Sequence, residues 1–182
     1  MQELLPPPND SSLEEMHERT YAVKAYRKSD DVIVLRGAVR DIKPPDLYVP
    51  NDPEPMSVHH MIVELEITVP DMLITNASVV FEVMPHHGCP SIAPHYGKLV
   101  GLNIARGFTH KVRELFGGPR GCTHTTALLQ AMAPVAIQSI WSLRAIAVRD
   151  GVAVAPPQRA TREQRLANMR FNLNTCHIWD EN

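Results

Sequence analysis

The sequence predicts an α+β protein: an antiparallel sheet of about four strands, in two hairpins, packed by a helical layer. Three observations point there. Apolar and polar residues alternate along short runs in the first half of the chain, as in strands with one buried face. After Pro85 the apolar spacing becomes helical. Strand-like and helix-like segments are therefore segregated rather than interleaved. A chain of 182 residues with 44% hydrophobic and 21% charged residues is enough for one such core.

Residues 1–20 carry Pro6, Pro7 and Pro8 followed by Asn9, Asp10, Ser11 and Ser12, which predicts a flexible N-terminal arm. The domain proper is expected over 21–154. Residues 21–27 and 32–40 are rich in β-branched and aromatic side chains around Lys28, Ser29, Asp30 and Asp31, a hairpin signal. From Asp41 to Pro55 the prolines Pro44, Pro45, Pro50, Pro53 and Pro55 predict an irregular connection. Met61, Val63, Leu65, Ile67 and Val69 then alternate with Glu64, Glu66 and Thr68, the clearest strand in the chain. Pro70 and Asp71 turn it, and residues 73–83 return with Ala77, Val79, Phe81 and Val83 on one face.

Pro90, just past Cys89, suits a first helical turn, where its missing N–H costs nothing, while Pro94 delays a regular helix. Phe108, Val112, Leu115 and Phe116 share one face of a short helix stopped by Gly117, Gly118 and Pro119. From Cys122 or Thr123 a helical pattern runs toward Arg149, with a break or kink expected at Pro134. It is apolar on more than one side, as a central core helix would be. Residues 155–182 read as a linker, a short basic helix over 161–170, and a tail docked through Trp179.

The chemistry is expected between His86 and Gln130. Cys89 follows Gly88 and Cys122 follows Gly121, each where a helix begins. Unpaired amides and the positive end of the macrodipole favour a thiolate there, the form that binds metal or attacks electrophiles. His86 and His87 precede Cys89, and His124 follows Cys122. His59 and His60 stand before the alternating strand, and antiparallel pairing brings that end toward the end of its partner. Cys89, Cys122, His59 and His124 are thus the predicted ligands of zinc or an iron–sulfur cluster. His60, His86, His87, Cys176 and His177 are further candidates, with one of His86 and His87 at most on the same side. The plainer alternative makes Cys89 and Cys122 small buried hydrophobes.

Other signals bound the function. A net charge of −2 gives no electrostatic case for nucleic acid. Gly117, Gly118 and Gly121 lack a P-loop lysine and the dinucleotide spacing, so no nucleotide is expected. Three cysteines, an odd number, fit reduced thiols rather than a disulfide framework. The acidic, proline-containing start is not signal-peptide-like, and no uninterrupted apolar run nears about 18 residues. A cytoplasmic protein with no membrane segment is expected. Arg159, Arg162, Arg165 and Arg170 would meet an acidic partner or a carboxylate substrate, or simply face solvent.

The blocks C-P-S-I-A-P at 89–94, G-F-T-H-K-V at 107–112, G-G-P-R-G-C-T-H at 117–124 and N-T-C-H-I-W at 174–179 resemble a bacterial family catalogued as domain of unknown function 2889. The likeness runs from about residue 21 to 179, and Thr125 replaces the leucine usual after G-C-T-H. The family supplies no activity. More remotely, residues 58–132 are similar to the NifU-type iron–sulfur scaffold: a strand pair, Gly-Cys at a helix start, then a cysteine opening a long helix. That resemblance implies zinc or a nascent cluster at Cys89 and Cys122. The family's first cysteine falls near Ser57 or Val58, where this chain has no thiol, and its aspartate falls near His59. Its histidine falls at Gly121, with His124 on the other side of the cysteine.

Three functions follow as expectations. The first is a small metal-binding protein holding zinc or a cluster. The second is a metal-dependent lyase or hydrolase acting on a small organic substrate, with His124 as the catalytic proton carrier. The third is an interaction module with structural cysteines that meets a protein partner. A homodimer is expected on general grounds.

Overall fold

The computed structural model describes residues 5–154, together with Thr161, Glu163, Gln164 and His177. Strands β1 (Glu18–Arg27), β2 (Val32–Lys43), β3 (Met56–Thr68) and β4 (Ile74–Val83) come first. A 3-10 segment (Cys89–Leu99), helix α1 (Phe108–Phe116), a 3-10 turn (Gly118–Arg120) and helix α2 (Thr123–Arg149) follow. The strands form one sheet in the order β1-β2-β3-β4, and every neighbouring pair is antiparallel. The fold is thus α+β with a four-stranded antiparallel sheet.

Three strands are longer than alternation alone predicts. β1 starts at Glu18, inside the expected arm; β2 continues through Asp41 to Lys43; β3 begins at Met56, ahead of its apolar run. In each case polar residues occupy strand positions that the hydrophobic pattern leaves blank. The proline-rich connection shrinks accordingly. It is closed by a backbone bond from Asp46 N–H to Asp52 C=O, with Asp46 and Asn51 at positive φ.

One face of the sheet is hydrocarbon. Ile33, Leu35 and Val39 of β2 and Met61, Val63, Leu65 and Ile67 of β3 are all buried. Each such side chain contributes roughly 1.5–3 kcal/mol. Gly37 sits in this row because α2 presses on it: a Cβ there would lie 2.8 Å from Met132 Sδ and 3.1 Å from Leu128 Cδ1.

The segment from Cys89 to Leu99 is 3-10 throughout and runs past Pro94. Pro94, inside the segment, lacks the donor that an α-helical ladder needs, whereas Pro90 sits at its start, where none is required. α1 follows expectation and buries Phe108, Val112 and Phe116. α2 departs from it in two ways. The helix is continuous through Pro134, which lies on its exposed side, where water can serve the carbonyl that loses its partner. Its fully buried residues form one stripe, among them Thr125, Leu128, Leu129, Met132 and Ala136. It is therefore an amphipathic cover and not a helix buried all round. By length and composition alone α2 is also apolar enough to cross a membrane, a property that a search for uninterrupted apolar runs passes over.

The chain divides into two compact units, Met1–Leu143 and Arg144–Asn182, so the division falls inside α2 and ahead of the expected boundary at residue 155. In the second unit Thr161 N–H donates to Gln164 Oε1 at 2.9 Å and Gln164 N–H to Thr161 Oγ1 at 3.2 Å, a reciprocal helix-start cap. The arginine strip, Cys176 and Trp179 lie outside the described residues.

Candidate metal centre

At one end of the core face the hydrocarbon rows give way to a polar one. The β1–β2 register sets Arg19 opposite Asp41, and the β2–β3 register sets Asp41 opposite His59. Asp41 continues the inward alternation of Leu35, Gly37 and Val39, so its carboxylate points where a core side chain would. A β-bulge immediately after it, between Asp41 and Ile42, ends the regular ladder there. The first turn of α2 then lays His124 over the row.

Asp41 is 1% exposed and collects four partners. Arg19 donates twice, Nε to Oδ1 at 2.6 Å and Nη2 to Oδ2 at 2.7 Å, a bidentate pair. His59 Nδ1 lies 3.0 Å and His124 Nε2 3.3 Å from Oδ2, and His17 Nε2 lies 3.6 Å from Oδ1. The rings of His59 and His124 stack, with centroids 3.8 Å apart and planes 28° from parallel. The His59 and His124 side chains keep 19% and 18% of their surface exposed, so the cluster is reachable from solvent.

The electrostatics are lopsided. Hydrogen bonds from Arg19 hold the Asp41 carboxyl down to about 2, against the opposing effect of burial; the charges of Arg19 and His124 and the His59 hydrogen bond add to it. Burial pushes His124 below the ordinary histidine range, helped by the charges of His59 and Arg19 and opposed by Asp41. His124 is therefore a neutral imidazole near pH 7, the form that ligates metal.

A thiol stands behind His124. Cys122 Sγ is 3.6 Å from His124 Nδ1, at the residue that caps α2 and whose C=O accepts from Thr126 N–H. Its backbone is fixed by buried Tyr96, whose hydroxyl accepts from Cys122 N–H at 2.8 Å. Tyr96 stacks in turn on Phe116. Gly121, just before, is needed for space, since a Cβ there would fall 2.5 Å from the Phe116 carbonyl oxygen. The 3-10 segment and α1 thus set where α2 begins, and with it His124 and Cys122.

Of the predicted residues, His59 and His124 come together with Asp41: one donor atom from each lies within 4.8 Å of the other two. Among the described residues this is the one group of three or more His, Cys, Asp or Glu that could hold a metal ion. Cys122 adjoins it. Cys89 is a half-buried free thiol outside the group, its N–H bonded to His86 C=O. Among the described residues the group that could hold an ion is a carboxylate between two imidazoles, with neither cysteine a member of it. His60 pairs with Val83 and, next to His59 along the strand, points to the opposite face. His86, His87 and His177 are exposed, and Cys176 lies outside the described residues. Asp41, Arg19 and His17 were not among the predicted residues. The signal available was an aspartate in the inward register of β2, since a buried carboxylate demands partners.

A family model described as "Protein of unknown function (DUF2889)" matches residues 17–138, a span that contains the whole cluster. No curated protein and no solved structure matches the chain. The comparisons thus return no NifU-type scaffold.

Proposed function

We propose that this chain, which belongs to the DUF2889 family, binds a divalent transition metal ion through Asp41, His59 and His124. The observation that carries the reading is the convergence of three donors from three separate elements on one nearly buried point. Two imidazoles and a carboxylate suit zinc, or iron(II) outside a cluster, better than a sulfur-ligated cluster, which needs more thiolates than stand here. Arg19 is the main opponent. The charges of Asp41 and Arg19 cancel, so a divalent ion enters without charge compensation unless the guanidinium loosens its hold or the Cys122 thiolate joins. Free thiols at Cys89 and Cys122 suit a reducing compartment, and a cytoplasmic location is part of the proposal.

A second reading, a metal-dependent lyase or hydrolase acting on a small organic substrate, is favoured by the partial exposure of both histidines. Three protein ligands leave a coordination position open, and a metal there supplies Lewis acidity. In that reading His124 holds or moves a proton at Nδ1, toward Cys122.

The test is metal titration of untagged protein, with elemental analysis and cobalt(II) absorbance as readouts. Wild-type chain should take one divalent ion, and His59→Ala and His124→Ala should each lose stoichiometric binding while remaining folded. A sulfur-to-cobalt charge-transfer band that disappears in Cys122→Ser would show the thiol as a ligand. Equal metal uptake by wild type and both histidine variants would end the proposal.

A further inference from the structure

The face of the sheet opposite the core carries an apolar row across all four strands. Ala22 pairs with Ala38, Ala38 with Ile62, and Ile62 with Val80. A shorter row, Tyr26 beside Val34, runs parallel to it. Tyr26 and Val80 are each 47% exposed. An antiparallel sheet with one wet face ordinarily turns polar residues to that side. Around this row the charges are largely sorted by strand: Lys24, Arg36 and Arg40 lie on β1 and β2 and Glu64 and Glu66 on β3, with Glu18 at the start of β1 the exception. Arg36 meets Glu64 at the seam between the halves, 3.0 Å apart.

We propose that this outer face is covered by the same face of a second copy of the chain, about a two-fold axis parallel to the strands over the β2–β3 seam. This axis sets the positive β1–β2 half of each copy against the negative β3–β4 half of the other. A two-fold axis running across the strands would put like charge on like. The apolar rows of the two copies lie along one another, so the surface is complementary to itself in both charge and hydrophobicity. Four strands about 4.8 Å apart and about 33 Å long give roughly 600 Å² on each copy. The total, about 1,200 Å², is the lower end for a specific interface. The proposal stands apart from the metal reading, because the cluster faces the other side of the sheet.

Sedimentation equilibrium on the full chain, from about 1 to about 200 µM, tests it. A dimer that weakens in high salt and weakens about tenfold or more in Ile62→Lys is the expected result. A chain carrying Lys24→Glu with Arg36→Glu, and one carrying Glu64→Lys with Glu66→Lys, should each be monomeric alone and pair when mixed. Because those variants disturb two internal ion pairs, Arg36 with Glu64 and Lys28 with Glu66, a milder one accompanies them. Ala22→Cys with Val80→Cys places thiols opposite one another across the axis. A bis-maleimide of about 10 Å span should link two such chains, with wild type as the control for Cys89, Cys122 and Cys176. A chain that stays monomeric at the highest concentration, a dimer indifferent to Ile62→Lys, or failure of the cross-link overturns the proposal.

Discussion

The β2–β3 ladder has two ends of opposite character under one helical cover. At one, Leu35 faces Leu65 and Ile33 faces Ile67, all sealed from water. At the other, Asp41 faces His59, with Arg19 on the next strand and His124 above. The alternation is the same, and so is the inward direction. The hydrocarbon end is adaptable and stabilises by area, whereas the ionic end is stable only while each partner is present. Apolar packing and the ionic cluster are therefore divided along one pair of strands.

Substitutions at the two ends should separate those roles. Leu65→Ala should cost the most, about 3 kcal/mol in urea unfolding, and leave metal affinity of the folded protein unchanged. Asp41→Asn should cost about 2 kcal/mol at neutral pH and abolish metal uptake in the same titration. Its pH dependence carries a sharper signature. The folded carboxyl sits at about 2 and an unfolded one near 3.8, so its stabilisation is full above about 4 and is lost as pH falls through 2. Wild type should lose about 2 kcal/mol across that window beyond what Asp41→Asn loses, as read from unfolding midpoints at each pH. The lowered value of His124 acts in the same sense higher up, eroding stability as pH drops below the ordinary histidine range.

Arg19→Gln should cost less, about 1 kcal/mol, because the guanidinium is partly exposed. It should also raise metal affinity about tenfold by removing a like charge, measured by competition with a chelating dye. His60→Ala, one residue from the cluster but on the other face, should alter stability by no more than about 0.5 kcal/mol and binding not at all.

The strands were legible where hydrophobic alternation reports them, as from Met61 to Ile67, and so was the switch to helices after Pro85. The cluster lay where that signal stops. Asp41 reads as the first residue of a proline-rich loop, Arg19 and His17 as part of an arm, and His59 as a residue preceding a strand. Each belongs to, or adjoins, a strand whose end carries polar side chains, and polarity erases the pattern by which strand ends are found. The cysteines drew attention because their chemistry is visible residue by residue. Convergence across strands is not, since it depends on register, which sequence spacing alone does not fix. His124 is legible because it abuts Cys122. Its carboxylate partner is distant in sequence, and only the sheet joins them.

Arg19 is delivered by β1, an outermost strand held along one side only. Peripheral strands are the first to peel in local openings. Each time this one lifts away, Asp41 surrenders its counter-cation and two imidazoles remain around a bare anion. That transient is the species with the greatest appetite for a positive ion. If the centre takes metal as proposed, loading it and fraying the margin are a single equilibrium, and amide exchange along β1 should quicken as metal is added.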